Sequence, residues 1–199
     1  MSAPPAVRLG EALWLDVLRA HRQPAPPQFF DILSLIWRNP GLQALAAYRF
    51  ERWCSFTPKG GSQRLMARLL RPLARLASAF ARSAYGIHLD QSADIAPGFY
   101  IGHLGGIVVR QCHIGPHRSI SQQVKIGIDT VIPEMSTPTE IGSHVWIGAH
   151  ARLCRGIRVG DAATIGAGSW VTCNVPARSL VLGNPGRIAQ RNYDNGEML

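Results

Sequence analysis

One histidine stands in a setting that suits chemistry on a substrate. In the stretch "FYIGHLGGIVV", at 99–109, His103 follows an Ile-Gly pair and comes just before Gly105-Gly106. An imidazole can accept or release a proton near neutral pH, which few other side chains can do. Glycines beside it allow a substrate to come close to the backbone. This stretch is therefore the first candidate for an active site.

Aliphatic residues six positions apart place this histidine inside a repeat. Ile-Gly occurs at 141, 147 and 165, and Val159-Gly160 holds the same position in the pattern. Because six is a multiple of the strand period, one aliphatic side chain on each short strand points the same way. The full ladder consists of Leu89, Ile95, Ile101, Val108, Ile114, Ile120, Ile126, Ile141, Ile147, Leu153, Val159, Ile165 and Val171. A hexapeptide period predicts a parallel β-helix, whereas an ordinary sheet would show period two without the sixfold phase.

Small residues and interruptions mark the turns of this ladder. The fifth position of a unit is small or β-branched, which suits the corner of a narrow prism, at Ala93, Val124, Val145, Ala151, Ala163 and Ser169. The ladder slips by one residue at Gly105-Gly106. Between Ile126 and Ile141 the gap is fifteen residues and contains two prolines. We expect a protruding loop near 127–140, since insertions in solenoids often lie on the binding face.

The N-terminal part differs in charge and pattern from the repeat. Residues 1–86 hold 12 Arg/Lys and 4 Asp/Glu, a net charge of +8, whereas residues 87–199 hold 9 and 8, a net charge of +1. Apolar spacing predicts helices in "VRLGEALWLDVLRAHR", "FFDILSLIW", "LQALAAYRFERW" and "QRLMARLLRPLARLASAFARS", the last bent or interrupted at Pro72. We therefore predict a mainly β chain with an α-helical domain at 1–83, a β-helix at 84–188 and a tail at 189–199.

The last predicted helix carries a basic stripe and an apolar face. The stripe consists of Arg64, Arg68, Arg71, Arg75 and Arg82. The opposing face consists of Leu65, Leu69, Leu73, Leu76 and Phe80. This pattern fits a solvated face on a helix that packs against its neighbours, and it also fits contact with anionic lipid at a membrane surface. We expect no nucleic-acid partner, because no basic groove interleaved with aromatic residues and no reading motif is present.

The four cysteines and the first residues bear on where the protein is found. The cysteines have neither metal nor redox spacing, so we expect buried reduced thiols in the cytoplasm. No apolar run is long enough to predict a transmembrane helix. The first twenty residues contain Glu11 and Asp16 and lack the apolar core of a signal peptide.

Residues 84–188 resemble the acetyl-CoA-dependent serine acetyltransferases and their relatives among the hexapeptide-repeat acyltransferases. The resemblance rests on "IGHLGGIVV", on "IGAHARLCRGIRVGDAATIGAGSWVTCNVP" and on the closing "VLGNPGRI". Upstream, "NPGLQALAAYRFERW" resembles the helical segment before the solenoid in that branch. The resemblance implies a left-handed parallel β-helix, an exception to right-handed crossovers. It also implies a homotrimer with active sites between neighbouring prisms, where the outward-pointing Trp146 and Trp170 would fill the interface.

The same resemblance implies roles for particular residues. His103 matches the catalytic base, whose imidazole takes the proton of an acceptor hydroxyl as the oxygen attacks the thioester of acetyl-CoA. Gly148-Ala149 and Gly166-Ala167 match positions where the backbone runs along the pantetheine arm. Gly183-Asn184-Pro185 matches the closing turn. Arg187 matches the cation near the CoA phosphates, for which arginine is suited by geometry and permanent charge. No metal is implied.

The sequence departs from the family where the family meets the charges of serine. Gly102 replaces an Asp, Ser136-Thr137-Pro138 replaces Arg-His-Pro, and Gln23-Pro24-Ala25 is the nearest match to Asp-Pro-Ala. The family Asp that orients the base aligns with His88. Asp90, two residues on, projects to the same side of a strand and could substitute. A zwitterion needs both charges met in a partly buried site, so these changes favour a neutral acceptor.

The predicted function is O-acetyl transfer from acetyl-CoA to a hydroxyl acceptor. The favoured acceptor is a sugar of a polysaccharide or of its lipid-linked precursor, as in the exopolysaccharide and capsule O-acetyltransferases. Serine O-acetylation in cysteine biosynthesis is the alternative, and a non-catalytic trimeric scaffold is an alternative of another class. We expect a cytoplasmic protein, with peripheral contact to an anionic inner membrane as a further hypothesis.

A zinc enzyme is another alternative, because some β-helices of this type are carbonic anhydrases with three histidine ligands. The available histidines are His113, His117, His144 and His150. His144 and His150 are one hexapeptide apart and should lie on different sides of the prism, which disfavours a shared metal.

Overall fold

The computed structural model describes residues 9–21, 28–56, 61–128 and 137–196. Helices come first in these residues: α1 Leu9–His21, α2 Phe29–Arg38, α3 Pro40–Phe56 and α4 Gly61–Tyr85. The first strands after them are β1 Ile87–Leu89, β2 Asp94–Ile95, β3 Phe99–Ile101, β4 Ile107–Val109, β5 Cys112–Ile114, β6 Arg118–Ile120 and β7 Lys125–Ile128. The later strands are β8 Thr139–Ile141, β9 Trp146–Ile147, β10 Arg152–Cys154, β11 Arg158–Val159, β12 Thr164–Ile165, β13 Trp170–Val171, β14 Ser179–Leu182 and β15 Arg187–Arg191.

The strands form three parallel sheets that are the sides of a prism. Sheet A has the order β1-β4-β7-β10-β13, sheet B the order β11-β8-β5-β2, and sheet C the order β15-β14-β12-β9-β6-β3. Up to β13, every third strand along the chain joins the same sheet. An isolated bridge between Val175 and Val159 holds the next position in sheet B, β14 then joins sheet C, and among the described strands only β15 runs antiparallel to its neighbour. The predicted fold class, a mainly β left-handed parallel β-helix behind a small α-helical domain, is confirmed.

The predicted ladder forms the core of the prism, with one error. Apart from Val108, every ladder residue is at most 8% exposed. Val108 is half-buried, and Ile107 and Val109 point inward instead, both fully buried. The slip at the glycine pair therefore amounts to two residues, since Val109 follows the inward Ile101 by eight positions. The phase is recovered in the short turn before β5, where Gln111 adopts a positive φ of 38°.

The corners are filled by the small side chains that the repeat predicted. All six of these residues, Ala93, Val124, Val145, Ala151, Ala163 and Ser169, are fully buried. The long insertion lies between β7, which ends at Ile128, and β8, which begins at Thr139. Residues 129–136, which include most of the predicted loop, lie outside the described part of the chain.

A buried ion pair joins the helical domain to the first coil of the prism. Asp16 of α1 and Arg49 of α3 are 3.0 Å apart and at most 8% exposed. Asp16 also accepts hydrogen bonds from the backbone N–H groups of Gly98 and Phe99, before and in β3. Arg49 donates to the backbone carbonyl of Ile95. Helices α1 and α3 are thus tied to the two ends of the turn between β2 and β3. They cover the open end of the solenoid, as terminal elements of repeat proteins do.

Helix α3 is anchored along its length to the same coil. The Tyr48 hydroxyl donates to the carbonyl of Ala93 at 2.7 Å, and Arg52 forms an ion pair with Asp94 at 2.6 Å. At the start of the helix, Asn39 caps the chain by accepting from the N–H of Leu42 at 3.0 Å. These contacts fix the position of the helical domain against the first coil, where β2 begins sheet B.

Helix α4 faces the protein with its small side chains. Ala67, Ala74 and Ala81 are buried, whereas Leu69 and Leu76 of the apolar face are 70% and 67% exposed. The helix therefore packs through alanines and turns its leucines outward, which differs from an amphipathic helix buried by its apolar face. Pro72 lies inside the helix without interrupting it. Within the described helices, none combines the length and hydropathy needed to cross a bilayer.

Candidate active site

The turns that lead from sheet C to sheet A form one continuous corner of the prism. We call this set of turns the C-to-A corner, and it comprises 102–106, 121–124, 148–151 and 166–169, continued by a fifth turn at 183–186 that joins β14 to β15 within sheet C. Hydrogen bonds connect successive turns: Gln123 N–H to Gly105 O at 2.8 Å, His150 N–H to Gln122 O at 3.0 Å and Gly168 N–H to Ala149 O at 2.7 Å. The last turn is held by Trp170, whose backbone N–H donates to Gly183 O at 3.0 Å.

The C-to-A corner brings together most of the predicted site residues. His103 lies in its first turn, Ala149 in the third, Ala167 in the fourth and Asn184 in the fifth. Neighbouring strands are about 4.8 Å apart, so His103 lies about 10 Å from the turn of Ala149 and about 14 Å from that of Ala167. A reactive histidine and small residues further along one edge can accommodate an extended substrate that reaches from the later turns to the first.

His103 is exposed at the start of this corner. Within the described residues, its side chain has no hydrogen bond and no ion pair. Its turn is shaped by Gly105 and Gly106, whose φ angles of 92° and 65° belong to the left-handed region that favours glycine. The N–H of Gly105 donates to Tyr85 O at 3.1 Å, which holds the turn against the end of α4.

The glycines and the alanines of the later turns are small for different structural reasons. A Cβ on Gly148 would lie 2.7 Å from the backbone nitrogen of Ala167, and a Cβ on Gly166 would collide with Leu182. These glycines are therefore required for close stacking of successive coils. Ala149 and Ala167, by contrast, are partly or fully exposed and present only a methyl group to the outside. The open edge that could take a substrate is formed by these alanines.

The closing turn lies at the far end of the corner. The N–H of Gly186 donates to Trp170 O at 2.7 Å, and the peptide bond between Asn184 and Pro185 is cis. Arg187 begins β15 and is paired in register with Leu182. Asn184, Pro185 and Arg187 are all exposed, so their polar groups are available to a ligand at this end.

The contacts that His88 and Asp90 make are with residues outside this corner. The His88 Nε2 and Asp90 Oδ2 atoms are 3.7 Å apart, and Asp90 accepts from the N–H and hydroxyl of Ser92 at 2.9 and 2.6 Å. Both residues line a cavity of about 320 Å³ between β1, α3 and α4, together with Glu51 and Arg82. No hydrogen bond or ion pair joins either of them to His103 in the described part of the chain.

The surroundings of this cavity lower the pKa of both side chains. Burial lowers the pKa of His88, and the nearby Arg82 guanidinium lowers it further. The hydrogen bonds from Ser92 outweigh burial at Asp90 and lower the pKa of its carboxyl. At neutral pH, His88 is therefore uncharged and Asp90 is a carboxylate.

Sequence reasoning missed two polar residues of the corner. Gln122 and Gln123 form its second turn, between His103 and Ala149. They stand two and three positions after Ile120, as His103 and Leu104 stand after Ile101, and this common place in the period was the signal. Of the family's serine-binding positions, Thr137 is exposed, whereas Ser136 and the segment Gln23-Pro24-Ala25 lie outside the described residues.

The histidines considered for zinc are distributed over different corners. His117 and His144 stack with their ring centroids 5.6 Å apart, whereas His150 lies in the C-to-A corner. Among the described residues, no three His, Cys, Asp or Glu side chains are grouped so that they could hold a metal ion.

Comparison with known proteins identifies the class to which this fold and corner belong. Residues 138–173 match the family described as bacterial transferase hexapeptide, with six repeats. The chain is 30% identical over 168 residues to a serine acetyltransferase of Mycobacterium tuberculosis, covering 84% of this chain and 67% of that protein. It is 32% identical over 172 residues to a serine acetyltransferase of Bacillus subtilis, covering 86% and 72%. The protein is a hexapeptide-repeat acyltransferase.

A solved structure agrees with these sequence relatives. A serine acetyltransferase in complex with CoA superposes with a TM-score of 0.68 at 26% identity, covering 91% of this chain and 69% of that one. The chain belongs to the serine acetyltransferase family. It spans about two thirds of the length of these relatives.

Proposed function

We propose that this protein transfers the acetyl group of acetyl-CoA to the hydroxyl group of L-serine. The observation that carries the proposal is the C-to-A corner, which aligns His103 with the small residues of later turns in a chain of the serine acetyltransferase family. The relatives reported above are named for serine, and one of them was solved with CoA. They support the serine alternative over the polysaccharide acceptor that the sequence departures favoured.

In this proposal His103 is the general base. Its neutral imidazole takes the proton of the acceptor hydroxyl while the oxygen forms a bond to the acetyl carbonyl carbon. The bond from that carbon to the CoA sulfur breaks, and the proton on the imidazole passes to the sulfur. The side chain of His103 is exposed, so both substrates can reach it from solvent. Acid–base catalysis of this kind contributes about 10²–10⁴-fold.

The later turns would hold the acetyl-CoA substrate. Ala149 and Ala167 expose only methyl groups, so an extended chain can lie along them without displacing a large side chain. Gly148 and Gly166 contribute indirectly, because they bring the coils close enough to form that edge. Arg187 and the exposed Asn184-Pro185 turn lie where the phosphate end would arrive.

The orientation of the base has two proposed contributors. Asp90 is ionised, its Oδ1 accepts both hydrogen bonds from Ser92, and its Oδ2 lies 3.7 Å from His88 Nε2. We retain His88 and Asp90 as positioning residues in the proposal, since both sit in the coil that contains His103. A neighbouring chain could add further groups to this corner.

A neutral hydroxyl acceptor is the second candidate. The observation in its favour is Gly102, which places no side chain next to His103 where the family has a carboxylate. An ammonium group that lost such a partner in a partly buried site would bind more weakly. If this chain binds serine, the ammonium group must be met by a charged group other than the carboxylate that the family has at the position of Gly102.

We further propose that the chain forms a homotrimer around this corner. The exposed large apolar residues of the β-helix lie in or beside it, namely Leu104, Trp170, Leu182 and Ile188. A neighbouring prism packed there would cover them and would enclose the acetyl-transfer site. Light scattering should give a mass about three times the chain mass of 21.7 kDa.

A thiol-release assay with acetyl-CoA tests the acceptor. We expect saturable turnover with L-serine, and strongly reduced turnover with N-acetyl-L-serine and with L-serine methyl ester, each of which lacks one charge. These two compounds, an amide and an ester, are matched controls because they keep the hydroxyl group. Turnover with uncharged sugars but not with L-serine would favour the second candidate, and no thiol release with any hydroxyl compound would contradict the proposal.

A further inference from the structure

The outward face of α4 is a continuous apolar surface. Its side chains are between 56% and 70% exposed at Leu65, Leu69, Leu73, Leu76 and Phe80. They recur every three or four residues, so they lie on one side of a helix about 37 Å long. We call this the leucine face. The helix already packs against α3 through its alanines, so the leucine face is not needed for the fold of the chain.

The charges along the leucine face are all of one sign. Helix α4 contains no Asp or Glu, and its arginines follow one side of the face. Arg64, Arg68 and Arg75 are exposed, whereas Arg71 reaches across to the Ser55 hydroxyl at 3.4 Å. A partner of the leucine face must therefore offer an apolar layer bordered by negative charge.

Two classes of partner could cover an apolar helix face, and the charges discriminate between them. A symmetric contact with a second copy would bring two α4 helices together and set their arginine rows near each other, which is unfavourable. A bilayer with anionic lipids presents phosphates directly above an apolar interior. This arrangement matches arginines at the edge of a leucine face.

We propose that α4 lies flat in the surface of an anionic membrane, with the leucine face inserted below the headgroups and the arginines at the phosphate level. The leucines are the inserted element, and the arginines select for negative lipid. Binding should therefore weaken with salt and yet retain a salt-resistant part from apolar insertion. The C-to-A corner lies on another element, so binding does not require the acetyl-transfer reaction.

Vesicle co-sedimentation tests this surface with the full chain. Wild type should sediment with vesicles of equal phosphatidylcholine and phosphatidylglycerol and should bind pure phosphatidylcholine much more weakly, at about the level that remains on anionic vesicles at high salt. Leu69→Gln with Leu76→Gln should weaken binding more than about tenfold, since two side chains lose their insertion. Arg64→Gln with Arg68→Gln should weaken it by about 25-fold at low salt, at about fivefold for each charge.

Matched variants separate this surface from general hydrophobicity and general charge. Leu33→Gln with Trp37→Gln removes exposed apolar residues of α2, which are 57% and 83% exposed. Arg152→Gln with Arg191→Gln removes two exposed charges from the β-helix. Both control pairs should bind anionic vesicles within about twofold of wild type, and unfolding curves should show that all variants fold.

Three outcomes would overturn the proposal. The first is wild-type protein that ignores anionic vesicles at low salt. The second is an equal loss of binding in the control pairs. The third is an assembly in solution that the Leu69 and Leu76 changes dissociate without any effect on vesicles, which would make the leucine face a contact between copies of the chain.

Discussion

The β-helix and the helical domain differ in where they place their large apolar side chains. In the β-helix, Ile126 and Ile165 are fully buried, because each coil is covered by the coils before and after it. In the helical domain, Trp37 is 83% exposed and Leu69 is 70% exposed. A solenoid completes its core by repetition, whereas helices joined through alanines leave their large side chains for another surface.

The two regions are joined by a shared hydrophobic core, to which Leu45 and Tyr48 of α3 contribute, and by a buried ion pair. The ion pair of Asp16 and Arg49 is buried, and its remaining hydrogen bonds go to the backbone of the first coil. Such a pair specifies how the helices sit on the prism, even where apolar replacements of both residues could be equally stable. Substitutions at the Asp16–Arg49 contact, in the β-helix and in the helical domain test how the two regions differ.

The largest expected effect is at the joint. Asp16→Ala should lower the free energy of unfolding by about 4 kcal/mol, because it leaves the Arg49 guanidinium buried without its partner. Urea denaturation measures the loss. Glu11→Ala, on the exposed side of the same helix, should change it by less than about 0.5 kcal/mol. A loss below about 1 kcal/mol for Asp16→Ala would show that the helices are held to the prism in another way.

A pair of apolar truncations compares the two regions directly. Ile126→Ala should cost about 3 kcal/mol, since it leaves a cavity in a fully buried part of the prism. Leu69→Ala should change the stability by less than about 0.5 kcal/mol, because the side chain is exposed and alanine favours the helix. Denaturant midpoints measure both. Equal losses would mean that the leucine face is covered in the free protein.

The smallest expected effect is a dependence of stability on pH below neutrality. The pKa of His88 is lowered by burial and then by Arg82, and the pKa of His117 is lowered by burial and then by His144. Above the ordinary histidine pKa of about 6.5, both states are neutral and stability is constant. As the pH falls below that value, the unfolded chain binds protons first, so stability decreases toward the folded-state pKa values.

Unfolding curves between about pH 7.5 and about pH 5.5 measure this dependence. His88→Gln and His117→Asn should each flatten it, and asparagine suits the positive φ of 59° at the second position. A wild-type stability that does not change over this range would contradict the lowered pKa values.

The repeat was predictable from the sequence because its period is strict. Each inward aliphatic residue and each corner residue follows the sixfold phase, and all but Val108 were placed correctly. The error arose at Gly105-Gly106, where glycines can enlarge a turn without changing the strands on either side. A period shows that a turn has been enlarged, but the number of extra residues depends on how the chain closes in space.

The helical domain and the orientation of the site were less predictable for a physical reason. The pattern of α4 defines an apolar stripe and a basic stripe, but small alanines allow close helix contact and compete with leucines for the buried side. Likewise, strand alternation puts His88 and Asp90 on one side of β1. Which partner they meet depends on α3 and α4, which line the cavity beside them, and the position of α3 is set in part by the contact of Arg49 with Asp16.

The most direct test of the proposed acetyl-transfer site is the replacement of His103. Turnover and CoA affinity should be measured for wild type, for His103→Ala and for His113→Ala, an exposed histidine of sheet B that serves as the matched control. We expect at least about a 100-fold loss of turnover for His103→Ala with CoA affinity within about twofold, and little change for His113→Ala. Retention of more than about a tenth of wild-type turnover in His103→Ala would contradict the assignment of the base.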